Sequence, residues 1–123
     1  MMRENYEEVW KLPFRSQEFL NGPQLIHTVT GVRLRLDYET ETGEYAWKSL
    51  SFKPIYAVRF TTQLSCTPDQ LHAYDKLVAV DPAEWLSTMS GIPDDCKHYR
   101  VFFDDVGCYD IAAKSFEVVE DEA

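Results

Sequence analysis

Between Ile26 and Tyr38 the chain alternates. Ile26, Thr28, Thr30, Val32, Leu34, Leu36 and Tyr38 hold the even positions, with His27, Gly31, Arg33, Arg35 and Asp37 among the odd ones. So long a period of two requires a strand with one apolar and one wet face, because successive side chains leave a pleated backbone on opposite sides. Such a strand must find neighbours. Glu41-Thr42-Gly43 supplies a turn, and Tyr45 to Phe52 forms the returning strand. Its apolar phase moves from odd (Tyr45, Trp47) to even (Leu50, Phe52), which predicts a bulge near Lys48-Ser49. Pro54 then breaks the run, and Tyr56, Val58 and Phe60 alternate around Arg59 as a third strand, giving a three-stranded meander.

Upstream the pattern is ambiguous. Tyr6, Trp10 and Phe14 recur every four residues as on a helix face, whereas Tyr6, Trp10 and Leu12 fit a strand, and Pro13 limits either element. Ser16 to Leu20 ahead of Asn21-Gly22-Pro23 reads as one helical turn with its stop signal. Downstream, Thr67-Pro68-Asp69-Gln70 offers a hydroxyl cap, a proline at the first helical position and a glutamine at the third. Leu71, Tyr74 and Val78 then fall on one face. Asp81-Pro82-Ala83-Glu84 repeats the scheme with Trp85, Leu86 and Met89 as its stripe. Gly91 to Asp95 is loop, Tyr99 to Phe103 reads as a central strand covered on both faces, and Asp104-Asp105-Val106-Gly107 is a turn. Cys108 to Val118 is the last strand, with an acidic tail at Glu120-Asp121-Glu122. These elements predict a single α+β domain over residues 1–123, with a five- to six-stranded, mostly antiparallel sheet. The expected order is βββααββ, with the two short helices packed on one face.

At 45% hydrophobic and 14% aromatic, the chain has enough apolar surface for a packed core, with aromatic rings to spare for a binding surface. No run approaches bilayer length, and Met1-Met2-Arg3-Glu4-Asn5 leads into no apolar signal region. Cys66, Cys96 and Cys108 form no close pair, as expected of free thiols in a reducing compartment. A cytoplasmic protein with no membrane association is expected.

The charge is segregated. Residues 1–62 carry eight Lys/Arg against eight Asp/Glu, and residues 63–123 carry four against thirteen. The halves sum to the chain's 12 and 21, so the net of -9 sits in the acidic C-terminal half. Such a field attracts basic surfaces and repels nucleic acid and anionic membranes.

The densest set of reactive groups is Asp104, Asp105, Cys108, Tyr109 and Asp110. Carboxylates beside a thiol raise its pKa and make it a poorer nucleophile. Asp at the first and Gly at the fourth position suit a type I turn with a glycine bulge. Adjacent Asp104 and Asp105 cannot act as an acid/base pair in a strand, where they face opposite ways. Cys96-Lys97-His98, with Cys66, Cys108, His27 and His72 elsewhere, lacks the two close pairs of a structural zinc site. Asp37 to Gly43 echoes a calcium loop, but its glycine comes one place late and Lys48 stands at the closing position. There is no glycine-rich phosphate loop, Gly-x-Ser-x-Gly elbow or His-Glu-x-x-His. Arg33, Arg35 and Arg59 beside Tyr45 or Trp47 resemble an RNA-binding face in composition. Asp37, Glu39, Glu41 and Glu44 are interleaved with them, so cross-strand ion pairs are the expected use. No metal, cofactor or nucleic acid is expected.

The expected function is therefore a non-enzymatic, acidic binding protein. Its sharpest form is an inhibitor or immunity-type protein that covers the basic surface of a protein partner. Asp94, Asp95, Asp104, Asp105 and Asp110 would form the contact patch, with Tyr109 as an aromatic anchor. The alternative is a small enzyme or ligand-binding domain with a pocket between sheet and helices, near Cys108, Tyr109, Asp110 and a histidine brought in by the fold. A homodimer through an exposed apolar sheet face is compatible with either.

Overall fold

The computed structural model describes residues 5–121. The N-terminal residues read for a signal segment, 1–4, and Glu122 of the acidic tail lie outside the described residues. The elements are β1 (Asn5–Lys11), β2 (Gln24–His27), β3 (Val32–Glu39), β4 (Tyr45–Thr62), α1 (Pro68–Leu71), β5 (Lys76–Asp81), α2 (Glu84–Ser87), β6 (Lys97–Phe103) and β7 (Gly107–Asp121). The strands form one seven-stranded sheet in the order β1-β5-β6-β7-β4-β3-β2, and every strand pairing is antiparallel. Among the described residues no helix is long and apolar enough to cross a membrane.

The expected five- to six-stranded α+β fold is corrected to a sheet-dominated one, for identifiable reasons. The ambiguous N-terminus is a strand, because Asn5 to Lys11 finds an edge to pair with on β5. The long alternating segment is two strands. Thr28 N–H donates to Gly31 O at 2.8 Å and closes a turn that folds β2 back on β3. Conversely, the second and third predicted strands are one strand, β4, which runs through Pro54. Its pairing with β3 ends at Phe52 opposite Val32, so beyond that point a proline removes no ladder bond on that side. The register shift lies between Ile55 and Ala57 rather than at Lys48-Ser49.

The helices are short. Thr67 and Gln70 form the expected capping box, yet α1 ends after a single turn. Asp75 adopts φ +53, and Lys76 to Asp81, with Leu77, Val78 and Val80 buried, continues as a strand. Asp81 is the last residue of β5 rather than a helix cap. The cap of α2 is Ala83, which has no side-chain hydrogen bond. The β6–β7 turn falls where expected, with Asp105 at φ +61 and Gly107 at φ +142. A Cβ on Gly107 would lie 2.1 Å from Thr61 O, so close approach to β4 also demands glycine there.

The two sheet faces differ. One carries Leu34, Leu36, Leu50, Phe52, Tyr99, Val101, Phe103, Tyr109 and Ile111, all buried in the main core. The link between β1 and β2 lies over this face. Phe14 stacks on Tyr38 at 4.7 Å and Phe19 meets Phe103 edge-on at 5.1 Å. The opposite face holds two small apolar clusters, Ala73/Val78/Val80/Phe102/Cys108 and Leu86/Cys96/Ala112. His98, Arg100 and Asp110 on the same two strands are buried as well, and they are polar.

Candidate functional site

Three paired positions make the floor of the site. Arg59 on β4 stands opposite Asp110 on β7, which stands opposite Arg100 on β6. Directly opposed residues share a face, with Cβ atoms about 4.5–5.5 Å apart, so register alone brings both guanidiniums to one carboxylate. His98, two residues before Arg100, shares that face.

Asp110 is 0% exposed and saturated with donors. Its Oδ1 accepts from His98 Nε2 and from Arg100 Nε, each at 2.6 Å. Its Oδ2 accepts from Arg59 Nη2 at 2.9 Å, Arg59 Nε at 3.3 Å and Gln70 Nε2 at 3.2 Å. Gln70 is aimed by the capping box: Thr67 N–H donates to its Oε1, while its Nε2 also donates to Thr61 Oγ1 at 3.2 Å. Burial pushes the Asp110 carboxyl up. The His98 hydrogen bond and the Arg100 and Arg59 guanidiniums outweigh that and hold it far below the usual carboxylate range. An ionised carboxylate only accepts, so His98 Nε2 carries a proton. His98 Nδ1, on a side chain 2% exposed, meets no hydrogen-bond partner among the described residues.

Aromatic rings flank these charges. The Arg59 guanidinium lies 4.8 Å from the Trp85 ring on α2, and that ring packs 4.9 Å from His98. Arg59 keeps 42% of its side chain exposed. Beside it lies a hollow of about 340 Å3, bounded by Arg59, Arg100, His98, Trp85, Glu84 and Thr88. A second hollow, about 400 Å3, shares Arg59 and Arg100 and adds Thr61, Ser65, Thr67 and Asp69. The larger hollow between Lys11, Arg15, Tyr74 and Lys76, about 510 Å3, lies away from this network, at the β1–β5 end. The buried ion cluster, rather than cavity size, marks the site.

The sequence-derived candidates do not share one surface. Asp94 and Asp95 precede β6, and Asp104 and Asp105 follow it. A seven-residue strand separates the pairs by on the order of 20 Å. Asp95 pairs with Lys114 at 3.2 Å, and Asp104 accepts from Gln17 Nε2 at 2.8 Å. Asp105 N–H donates to Gln63 Oε1. Tyr109 is buried on the core face against Phe60 and Phe103, and Asp110 points the opposite way into the cluster above. Arg59, Gln70, Trp85, His98 and Arg100 join Asp110 instead. The available signal is the pair His98 and Arg100 on alternate positions of β6, whose other residues after Lys97 are apolar or aromatic.

Cys108 is 0% exposed, and burial followed by the Asp110 charge pushes its thiol far above the ordinary range. Iodoacetamide is therefore expected to leave Cys108 unmodified in the native protein and to label it after denaturation, read by peptide mass spectrometry. Fast native labelling would contradict this placement. Cys66, Cys96 and Cys108 are all free thiols, and among the described residues no three His, Cys, Asp or Glu side chains gather as a metal-ligand set. Compared with protein-family models, curated proteins and solved structures, the chain matches none.

Proposed function

We propose that the protein is a ligand-binding domain that takes an anionic group against Arg59, in the hollows above Asp110. The observation that carries this reading is the state of Arg59. Its guanidinium shares the Asp110 carboxylate with Arg100 and His98, stacks beside Trp85, and still exposes 42% of its side chain where both hollows meet. An oxyanion arriving there meets a planar fork already oriented by the fold, so little side-chain entropy is lost in making the bond. Thr61 adds a second handle. Its hydroxyl oxygen already accepts from Gln70, which leaves the proton to donate. With Cys108 buried and its thiol held protonated, binding rather than covalent chemistry is the activity these residues support.

The reading predicts that acetate or phosphate at tens of millimolar raises the melting temperature above a chloride control of equal ionic strength, as any ligand of the folded state does. Arg59→Met, which keeps the side chain's length, removes that rise. Identical melting in all three salts overturns the reading.

A further inference from the structure

The hollow beside Trp85 is lined by opposite charges. Arg59 and Arg100 line it together with His98, and Glu84, at the start of α2, lines the same concavity. Glu84 is exposed and forms no ion pair among the described residues. The second hollow repeats the arrangement, with exposed Asp69 on its wall and the same two arginines.

A ligand that is anionic throughout would satisfy the arginines and meet repulsion from Glu84 and Asp69. It would also approach through the field of a chain carrying a net charge of -9. A ligand with one anionic and one cationic end satisfies both charges. The space sets the size. About 340 Å3 is near the lower bound of small-molecule pockets, which excludes dinucleotides and long peptides from full enclosure. Trp85 supplies an apolar wall, and an indole face also favours a cationic neighbour.

Resting on the anion-binding reading, we infer that the ligand is a small zwitterion of the amino-acid class. Its carboxylate sits against Arg59 and its ammonium faces Glu84. The carboxylate is the shared requirement of both readings, and the ammonium is the new one. The inference therefore demands discrimination among molecules that differ only at nitrogen.

Thermal unfolding with the twenty common amino acids tests this. Any that stabilise are compared with their N-acetyl derivatives and with the amines lacking the carboxylate. The expected result is that at least one amino acid stabilises the protein, while its N-acetyl derivative and its amine each bind at least tenfold more weakly by calorimetry. Glu84→Gln weakens the amino acid and strengthens acetate, whose repulsion it relieves, whereas Arg59→Met weakens both. If N-acetyl derivatives, acetate or phosphate bind as tightly as the amino acids, the zwitterion inference is wrong while anion binding stands. If no amino acid, acetate or phosphate stabilises the protein, both fail.

Discussion

Asp110→Asn is expected to cost about 3–5 kcal/mol of folding stability, the range for removing one partner from a buried ion cluster. The change keeps the shape of the side chain and removes its charge. Arg100 and His98, 3% and 2% exposed, then lack the carboxylate that offsets their desolvation, and an amide nitrogen replaces one acceptor oxygen. Urea unfolding reads the loss as a lower midpoint at an unchanged slope, because the surface exposed on unfolding does not alter. Asp94→Asn, on the loop before β6, is the matched control and is expected to stay within about 0.5 kcal/mol. Similar small losses in both variants would mean that Asp110 is not the hub of the network.

Asp37 gives the second large effect. On β3, 0% exposed, its Oδ1 accepts from Gly22 N–H at 2.7 Å and from Leu20 N–H at 3.3 Å. Its Oδ2 accepts from Asn21 N–H at 2.6 Å and from Tyr45 O–H at 2.8 Å. One carboxylate thus fastens the whole entry into β2. A Cβ on Gly22 would lie 2.9 Å from the same oxygen, so the clasp needs glycine. Asp37→Ala orphans three backbone donors at about 1–3 kcal/mol each when buried. Leu20 and Asn21 are exposed and regain water, so the expected loss is about 2–4 kcal/mol. Burial raises the Asp37 pKa, but the hydrogen bonds from Tyr45, Gly22, Asn21 and Leu20 together lower it below its usual value.

The sign of the pH dependence follows. A carboxyl whose folded pKa lies below its unfolded value of about 3.9 contributes its full stabilisation above that pH, because the unfolded chain binds more protons below it. Asp37 and Asp110 are both lowered, so stability is expected to fall as pH drops from about 5 toward 3. Asp37→Asn should flatten that slope, measured as urea midpoint against pH. A slope equal to wild type would show that the carboxylate is not held as described.

Local features are legible in this sequence, and strand register is not. The Thr67/Gln70 capping box, the Asp104–Gly107 turn and the alternation of β3 depend on neighbours within a few residues, and each is present. Strand β5 was hidden because Leu71, Tyr74 and Val78 match helical spacing. The helix ends at Leu71, and the left-handed backbone at Asp75, which no spacing reveals, turns the chain into β5. The same limit governed the site. In an acid-rich half, Asp110 looks like one more surface carboxylate. Arg100 reaches it across the β6–β7 hairpin, but Arg59 is distant in sequence and meets it only when β4 aligns with β7. The net charge was legible, but its distribution over opposite ends of β6 was not.

In the proposed function Arg59 receives an anion while Asp110 holds the cluster in place. The most direct measurement is a nuclear magnetic resonance titration of the isotope-labelled protein with acetate, following the Arg59 and Arg100 Nε–H and His98 ring signals. Saturable shifts are expected, concentrated on these three side chains and the Trp85 indole, and absent in Arg59→Met. Weak, non-saturating shifts spread over the exposed lysines and arginines would contradict that function.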